Sequence, residues 1–331
     1  MSIGIIGCGA AGSILLLELI QRGTDPATIV LVDSHFDGGD LVRKWSAINS
    51  NTKWSQIVEV FREYPTATSA VTTLSAKYGP DQVTLLADLA WLLRSAIQPI
   101  LAQVQTRTEH CKRVQQTATG WQIVCPSGTE EVATLYICTG ADPKTLDFGK
   151  PAIPLEIALD PIRLARLVRP GEKVCVFGLA HSGTLCIHHL VQAGTQVTGF
   201  YNQEKPFYFA RDGEYDGIKQ ESAEIADAIL ANNIPVRLCA FKDTKALVKA
   251  IHKADWIVCA TGFTGRTLEI RDSQSVLVTG EFSPETGRIA ENLYGFGIAY
   301  PGESIVGDRT FKDVSLPSFS QQIKRCLSSN R

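Results

Sequence analysis

The sequence IGIIGCGAAG, residues 3–12, decides the fold of this chain. A short apolar run leads into a glycine-rich turn with the spacing G-x-G-x-x-G, and helical periodicity follows. In such a turn Gly7 permits the tight bend, Gly9 lets the backbone approach a pyrophosphate, and Gly12 lets helix and strand pack closely. The stretch therefore predicts a strand, a turn and a helix whose N-terminus faces a dinucleotide.

The residues after this turn complete a β-α-β pattern. Helical periodicity covers residues 10–22 and stops at Gly23, and a second apolar run covers residues 29–32. Asp33 ends that run about 20 residues after the turn, the place from which an acidic side chain hydrogen-bonds an adenosine ribose. A glycine turn without a ligand is the alternative. The predicted contacts of this first site are Gly7, Gly9, Ala10, Ala11, Gly12 and Asp33.

Composition narrows the class of protein. The 331 residues are 44% hydrophobic, and 32 basic against 34 acidic side chains give a formal net charge of −2. This length predicts about two globular domains, and the charge balance gives no electrostatic case for nucleic acid. The apolar run at residues 14–20 is too short to span a membrane and is interrupted by Glu18, so we expect a cytoplasmic protein without a membrane partner.

The nine cysteines are odd in number, widely spaced and without any C-x-x-C pair. They predict buried free thiols in a reducing compartment, and they favour neither a zinc ribbon nor a redox dithiol. Of the histidines only His188 and His189 are adjacent, and neighbours on a helix point to different faces, so no metal site is predicted.

The opening pattern returns in the middle of the chain. A predicted strand, the turn GLAHSG at residues 178–183, a predicted helix and a second predicted strand follow one another between residues 173 and 201. Ala180 replaces the middle glycine of the fingerprint, and its methyl group keeps a bound nucleotide farther from the backbone. A second nucleotide site and a purely structural crossover both stay open, and His181 either contacts the cofactor or shapes the turn. The contacts predicted here are Gly178, Ala180, His181, Ser182 and Gly183.

The end of the second strand bears on the choice of nucleotide. Residues 200–202 contain no acid, and Lys205 and Arg211 follow. Because an acid would bind a free 2′-hydroxyl and repel a 2′-phosphate, its absence beside basic residues favours NADPH over NADH. An ordinary solvated face is the alternative for both side chains.

These patterns predict an α/β fold of two Rossmann-like dinucleotide-binding domains, the second inserted in the first. The first domain is predicted at residues 1–150 and 265–331, with a small antiparallel meander at about 111–138, and the second at 151–264. Residues 34–56 are expected to lack regular structure, and Pro99 is expected to kink or break a helix over residues 85–104.

Two further apolar segments, residues 136–140 (YICTG) and 257–262 (IVCATG), both end in Thr-Gly. They resemble the A-T-G-type motifs of flavoproteins that bind FAD and NAD(P)H, a group that includes pyridine nucleotide-disulfide oxidoreductases and flavin-containing or N-hydroxylating monooxygenases. The resemblance covers most of the chain, with the motifs in the family's order. It implies FAD in the first domain and NADPH or NADH in the second, with Thr139, Gly140 and Gly262 at the cofactors.

More narrowly, DLVRKW (40–45), NSNT (49–52) and NLYGFGIAYP (292–301) resemble a branch of FAD-dependent oxidoreductases known only by this domain similarity. In that branch the loop after the ribose acid packs beside the isoalloxazine, and the Gly-Phe-Gly-Ile-Ala segment returns to the flavin. Trp54 is assigned to core packing. The flavin-proximal residues implied by the resemblance are Lys44, Trp45, Asn51, Thr52 and Gly297.

Two departures from the family bear on function. The redox cysteine pair of the disulfide reductases is missing, and the last strand, predicted at residues 295–301, holds no acid for the ribityl chain. Gly307-Asp308 follows later as a possible replacement.

The predicted function is an FAD-dependent oxidoreductase that takes hydride from NAD(P)H. Because the flavin carries the chemistry, no catalytic side chain is assigned. The electrons pass to oxygen and a small substrate, as in a monooxygenase, or to another acceptor, and the missing cysteine pair favours the monooxygenase. A single-site NAD-dependent dehydrogenase and a catalytically silent nucleotide-binding sensor are the alternatives. The substrate and the oligomeric state stay open.

Overall fold

The computed structural model describes residues 2–207, 210–211, 214–215, 221–266, 268–277, 282–306 and 309–329. The chain divides into two compact units, Met1–Ala141 with Gly265–Arg331, and Asp142–Thr264. No helix in these described ranges is long and apolar enough to cross a membrane. Gly307 and Asp308 lie outside the described residues.

Strands and helices alternate along much of the chain. The first part of the chain forms β1 (Ile3–Ile6), α1 (Ala10–Gln21), β2 (Ile29–Asp33), α2 (Asp40–Arg43), β3 (Asn49–Lys53), α3 (Trp54–Phe61), α4 (Thr68–Ser75), β4 (Val83–Leu85), α5 (Leu86–Leu101), β5 (Gln105–Thr108), β6 (Arg113–Gln116), β7 (Trp121–Cys125), β8 (Gly128–Val132) and β9 (Thr134–Ile137). The middle part forms β10 (Ala141–Pro143), β11 (Ala152–Ile153), α6 (Leu155–Ala158), α7 (Pro161–Leu167), β12 (Lys173–Phe177), α8 (His181–Gln192), β13 (Gln196–Tyr201), β14 (Ala210–Arg211), β15 (Glu214–Tyr215), α9 (Glu221–Leu230), β16 (Val236–Ala240), α10 (Thr244–Lys253), β17 (Trp256–Cys259) and β18 (Phe263–Gly265). The last part forms β19 (Glu269–Arg271), β20 (Arg288–Ala290), β21 (Leu293–Gly295), β22 (Gly302–Val306), β23 (Arg309–Asp313) and α11 (Leu316–Ser329).

The first unit is built on a sheet with strand order β20-β21-β9-β1-β2-β5. Its central strand β1 pairs in parallel with β2 on one side and β9 on the other. Helices α1, α3, α5 and α11 bury their apolar faces together with Ile5 and Tyr136 of the sheet. Trp121 and Ile123 of the meander form a separate core with Ile6 of β1 and Leu135 of β9. Because both faces of the sheet are buried, the central strands are continuous apolar runs in the sequence.

The second unit contains the sheet β11-β17-β12-β13-β16, in which every pair is parallel. Helix α8 packs on β12 and β13. Phe177 lies at the centre of an aromatic stack, 5.0 Å from the ring of Phe200 and 4.5 Å from that of Phe148. The predicted α/β fold with two Rossmann-like sheets is confirmed.

The structure places the first boundary between the units at Ala141. The sequence prediction set it at residue 150, but residues 142–150 belong to the second unit. Phe148 packs there on the core that contains Phe177, and the Lys144 amide donates to the Gly262 carbonyl. The second boundary, between residues 264 and 265, has the predicted position.

The expectation that residues 34–56 lack regular structure is wrong. This stretch contains α2, β3 and the start of α3. Strand β3 was missed because its residues NSNTK are polar, and it forms by antiparallel pairing with β4 rather than by β-propensity. Trp54, 3% exposed at the start of α3, lies in the core as predicted, and its indole N–H donates to Ser75.

Two other predictions need correction. Helix α5 is not broken at Pro99 and ends two residues later at Leu101, because buried Ile97 and Ile100 keep its apolar stripe against the core. The meander is β6-β7-β8 and ends at Val132; residues 134–137 instead form β9, an apolar strand of the parallel sheet.

Candidate functional site

The three glycines of the first turn have different packing environments. A Cβ atom on Gly7, whose φ is +96°, would lie 2.3 Å from the Cys138 carbonyl oxygen, and one on Gly12 would lie 1.9 Å from the Gly7 carbonyl oxygen. The fold itself therefore requires glycine at both positions. At Gly9 no described atom lies within 4 Å of a Cβ, so packing within the protein does not explain this glycine.

Helix α1 begins beside this open space. Gly9 is its N-cap, and the structure gives the cap no side-chain hydrogen bond. The first amides of a helix need acceptors from outside the helix and carry partial positive charge. The open position at Gly9 and these amides form a cradle of the kind that receives a phosphate or pyrophosphate.

Asp33 is tied to the turn. Its carboxylate accepts hydrogen bonds from the backbone N–H groups of Cys8 at 2.7 Å, His35 at 2.8 Å and Phe36 at 2.9 Å. A carboxylate has about four acceptor positions, so about one remains for a ribose hydroxyl. The carboxylate therefore fixes the turn, and its ribose contact stays a prediction.

The loop after β2 lies against the same turn. A Cβ on Gly39, whose φ is +70°, would lie 3.2 Å from the Cα of Gly9. The next residue, Asp40, accepts a backbone hydrogen bond from Trp45 at 3.0 Å and lies 3.9 Å from the Lys44 ammonium. The structure thus joins Lys44 and half-buried Trp45 to the loop that contacts the turn.

Asn51 and Thr52 lie in the peripheral strand β3. The Thr52 hydroxyl donates to the Asn51 side chain at 3.3 Å, and Thr52 is buried while Asn51 is exposed. Among the described residues, no side-chain hydrogen bond joins this pair to the glycine turn. Their place beside a flavin stays a prediction.

The C-terminal return reaches the start of α1. A Cβ on Gly297, whose φ is +87°, would lie 2.9 Å from the Cβ of Ala11. Strand β21 ends at Gly295, and residues 296–301 form a turn in which the Tyr300 amide donates to the Gly297 carbonyl at 2.9 Å. The predicted strand over residues 295–301 is therefore wrong, because the positive φ of Gly297 turns the chain towards α1.

Arg266 was missed by the sequence analysis. Its guanidinium pairs with the Asp40 carboxylate and donates to the Thr139 carbonyl at 3.2 Å. Its backbone N–H donates to the Gly140 carbonyl at 3.0 Å. Arg266 thus ties the predicted Thr139-Gly140 segment to the loop on the glycine turn.

The second turn has the same backbone geometry as the first. A Cβ on Gly178, with φ of +93°, would lie 2.3 Å from the Ala260 carbonyl oxygen, and one on Gly183 would lie 1.8 Å from the Gly178 carbonyl oxygen. Ala180, the N-cap of α8, has φ −81° and ψ −169°, close to −77° and −157° at Gly9. The alanine therefore keeps the turn's backbone and places a methyl group at the position that Gly9 leaves open.

His181 begins α8, next to Ala180. Its Nδ1 lies 2.6 Å from the hydroxyl of Ser222, a fully buried residue of α9. This hydrogen bond fixes the imidazole at the N-terminus of α8, beside Ser182. The contact ties the start of α8 to α9, and a contact between His181 and a cofactor stays a prediction.

The second unit has no counterpart of Asp33 at the matching position. The Gly7 amide donates to Val32 and the Gly178 amide to Phe200, so Tyr201 takes the place of Asp33. Lys205 is exposed a few residues beyond, and so is Gly262 after β17. The structure describes the backbone of Arg211 alone.

All nine cysteines are buried free thiols, as predicted. Burial, with the nearby Asp33 charge, raises the pKa of Cys8 to about 12. Burial also raises the pKa of Cys111 to about 12 and that of Cys175 to about 11, and it raises the pKa of Cys138 further. A reactive thiol needs a low pKa and access to solvent. These thiols have the opposite properties.

Comparison with known proteins finds monooxygenases and a disulfide reductase. No protein-family model matches the sequence. The chain is 25% identical over 351 aligned positions to monooxygenase AgnR1 of Paecilomyces divaricatus, covering 90% of this chain and 89% of that protein. Lysine monooxygenase NbtG from Nocardia farcinica has a TM-score of 0.66 at 14% identity, with 98% of each chain covered. A bacillithiol disulfide reductase from Staphylococcus aureus has a TM-score of 0.65 at 12% identity, covering all of this chain and 98% of the other.

The structural matches show the fold, that of flavoproteins with two dinucleotide-binding domains. The resemblance inferred from the motifs is confirmed. The relatives support the predicted flavin-dependent NAD(P)H oxidoreductase, and they give no support to the single-site dehydrogenase or the silent sensor.

Proposed function

We propose that this chain is a flavin-dependent monooxygenase that binds FAD in its first unit and NADPH in its second. The observation that carries the proposal is the duplicated glycine turn, with protein-free space beside Gly9 and a helix N-terminus behind it. When bound, FAD supplies hydride acceptance and oxygen activation. The chain's own residues would bind and orient each dinucleotide within its unit.

The first unit offers a site that fits FAD. The amides of the first turn of α1 would bind the pyrophosphate, the remaining acceptor capacity of Asp33 would serve the ribose, and the segments around Gly140 and Gly297 would flank the flavin. The full set that we assign to FAD is Gly7, Gly9, Ala10, Ala11, Gly12, Asp33, Lys44, Trp45, Asn51, Thr52, Thr139, Gly140 and Gly297.

The second unit offers a looser nucleotide site, because the Ala180 methyl group narrows the cradle. Tyr201 in place of an acid removes the group that would repel a 2′-phosphate, and exposed Lys205 follows it, so we assign NADPH rather than NADH. The set that we assign to this nucleotide is Gly178, Ala180, His181, Ser182, Gly183, Lys205 and Gly262.

Oxygen and a small substrate are the proposed electron acceptors. Each turnover would consume NADPH, a proton, oxygen and substrate, and release NADP⁺, water and hydroxylated substrate. A disulfide reductase that works through its own dithiol needs an accessible thiolate, and burial denies this to every cysteine of the chain. The name of the curated relative, a monooxygenase, supports the same choice.

Substitution of Gly9 by valine tests the FAD site. Position 9 has an ordinary φ of −77° and no neighbour within 4 Å of a Cβ, so the variant should fold, at a cost of about 1 kcal/mol because valine is a poorer N-cap than glycine. The side chain would fill the cradle, and we expect the dissociation constant of FAD to rise about 100-fold or more, about 2.7 kcal/mol.

Gly79→Val is the matched control, because a Cβ there meets only the Gln82 side chain, at 3.6 Å. Fluorescence titration of the apoprotein with FAD measures both affinities. Normal FAD affinity in a folded Gly9→Val protein would remove the FAD site from this turn.

A further inference from the structure

Arg266 stands where the loops around the first glycine turn meet. Its guanidinium pairs with Asp40, the first residue of α2, and donates to the carbonyls of Thr139 at 3.2 Å and Ala141 at 3.4 Å after β9. One planar guanidinium thus serves a carboxylate and two carbonyl groups, a geometry that the point charge of a lysine does not reproduce.

The backbone around Arg266 is tied to the same place. Its N–H donates to the Gly140 carbonyl at 3.0 Å, and its own carbonyl accepts from the Thr139 hydroxyl at 3.3 Å. A Cβ on Gly140 would lie 3.2 Å from Nη1 of Arg266, and the φ of Gly140 is +74°. Glycine at position 140 therefore leaves the room that the guanidinium occupies.

The other end of the contact reaches the cradle. Asp40 directly follows Gly39, and a Cβ on Gly39 would lie 3.2 Å from the Cα of Gly9. The ion pair with Arg266 therefore acts one residue from the glycine that touches the turn. The side chains of Arg266 and Asp40 are 29% and 17% exposed, so solvent screens the pair less than a pair on the open surface.

We propose that Arg266 is a positioning residue of the dinucleotide cradle, which holds the loops after β2 and β9 in the shape that receives FAD. This inference rests on the proposed function. Arg266 acts through Asp40 and the Thr139-Gly140 backbone and lowers the cost of ordering these loops when FAD binds. Removal of the guanidinium should therefore weaken FAD binding beyond any loss of fold stability.

The test measures FAD affinity and apoprotein melting temperature in the full chain, for wild type, Arg266→Ala, Asp40→Asn and the double variant. We expect each single variant to raise the FAD dissociation constant about tenfold. The double variant should be no weaker than the weaker single variant, because the two residues act as one unit.

Arg22→Ala is the matched control. Arg22 pairs with Glu18 at 2.7 Å near the C-terminal end of α1, and the two side chains are 20% and 5% exposed, so the variant removes a similar ion pair at the end of the helix opposite the glycine turn. The control should lower the melting temperature and leave FAD affinity within twofold of wild type. If Arg266→Ala behaves like this control, Arg266 is merely structural and the inference is overturned.

Arg266→Lys keeps the experiment decisive if the alanine variant does not fold. Lysine keeps the positive charge but lacks the planar guanidinium that donates to several acceptors at once. We therefore expect an FAD affinity between those of wild type and Asp40→Asn. Wild-type affinity in both Arg266→Lys and Asp40→Asn would overturn the inference. A wild-type protein that binds no FAD would instead refute the proposed function, and the inference with it, before any variant is compared.

Discussion

Cys8 lies inside the first glycine turn, and its environment keeps it neutral. The side chain is 1% exposed and sits near the Asp33 carboxylate, and these two factors raise the pKa of its thiol to about 12. A thiolate there would place a second negative charge beside Asp33. Cys8 therefore acts as a small apolar residue in the turn.

Thiol labelling tests this account of the cysteines. At pH 8 the folded protein should react with a disulfide reagent slowly enough that almost none of its nine thiols is modified before unfolding, whereas in denaturant all nine should react at once. A pair of thiols that reacts rapidly in the folded protein would contradict the account and favour a reductase.

The same thiols predict how stability depends on pH. The pKa of Cys8 is about 12 in the folded protein, above the unfolded value of about 8.5. The stabilisation is therefore complete below about pH 8.5 and is lost as the pH rises through about 12, at up to about 1.4 kcal/mol per pH unit for each such thiol. Urea unfolding at several alkaline pH values measures it, and a Cys8→Ala variant should show a smaller loss.

Helices α1 and α8 begin with similar backbone geometry, and their N-cap residues differ by one methyl group. The N-cap residues, Gly9 in α1 and Ala180 in α8, have similar backbone angles and make no side-chain capping hydrogen bond. In the first turn of each helix a side-chain hydroxyl donates to a carbonyl of the glycine turn: Ser13 donates to Cys8, and Thr184 donates to Ala180. At the N-cap, the two turns therefore differ by the methyl group of Ala180.

Ala180→Gly should open the second cradle to the width of the first. Because the nucleotide can then approach the backbone more closely, we expect the KM for NADPH to fall several-fold with little change in kcat. Ala193→Gly at the C-terminal end of α8 is the control for the loss of an alanine, and it should leave KM unchanged. An unchanged KM in Ala180→Gly would mean that no nucleotide approaches this methyl group.

The elements that the sequence predicted well are those whose pattern is local. The strand, turn and helix around Gly7 and Gly12 follow from residues within one short stretch, and so does the repeat around Gly178. Strand β3 escaped prediction because its polar residues pair with β4, some thirty residues later. The pattern of apolar residues in the sequence does not reveal pairing between distant polar strands.

Part of the candidate site was likewise hidden from the sequence. Arg266 and Asp40 are 226 residues apart in the chain, and their contact depends on how the fold brings the segments after β2, β9 and β18 together. Gly39 and Gly297 converge on the turn through positive φ values that composition alone does not assign to a partner. The motifs therefore identified the cradle, and the structure identified what surrounds it.

At the scale of the whole molecule, the chain is one architectural unit used twice. Each unit has a central strand ending in a glycine turn, a helix leaving the turn, and a neighbouring parallel strand, β9 or β17, whose following carbonyl lies against the first glycine. One unit has the open glycine and the acid, and the other has the alanine and Tyr201. This asymmetry is what we expect of a protein that holds one dinucleotide permanently and exchanges the other.

An anaerobic absorbance titration of the FAD-loaded protein with NADPH, and in parallel with NADH, tests this account most directly. We predict that NADPH bleaches the bound flavin in stoichiometric amounts, that NADH does so less readily, and that admitted oxygen restores the oxidised spectrum. Flavin that stays oxidised with both nucleotides would contradict the proposed transfer from the second unit to the first.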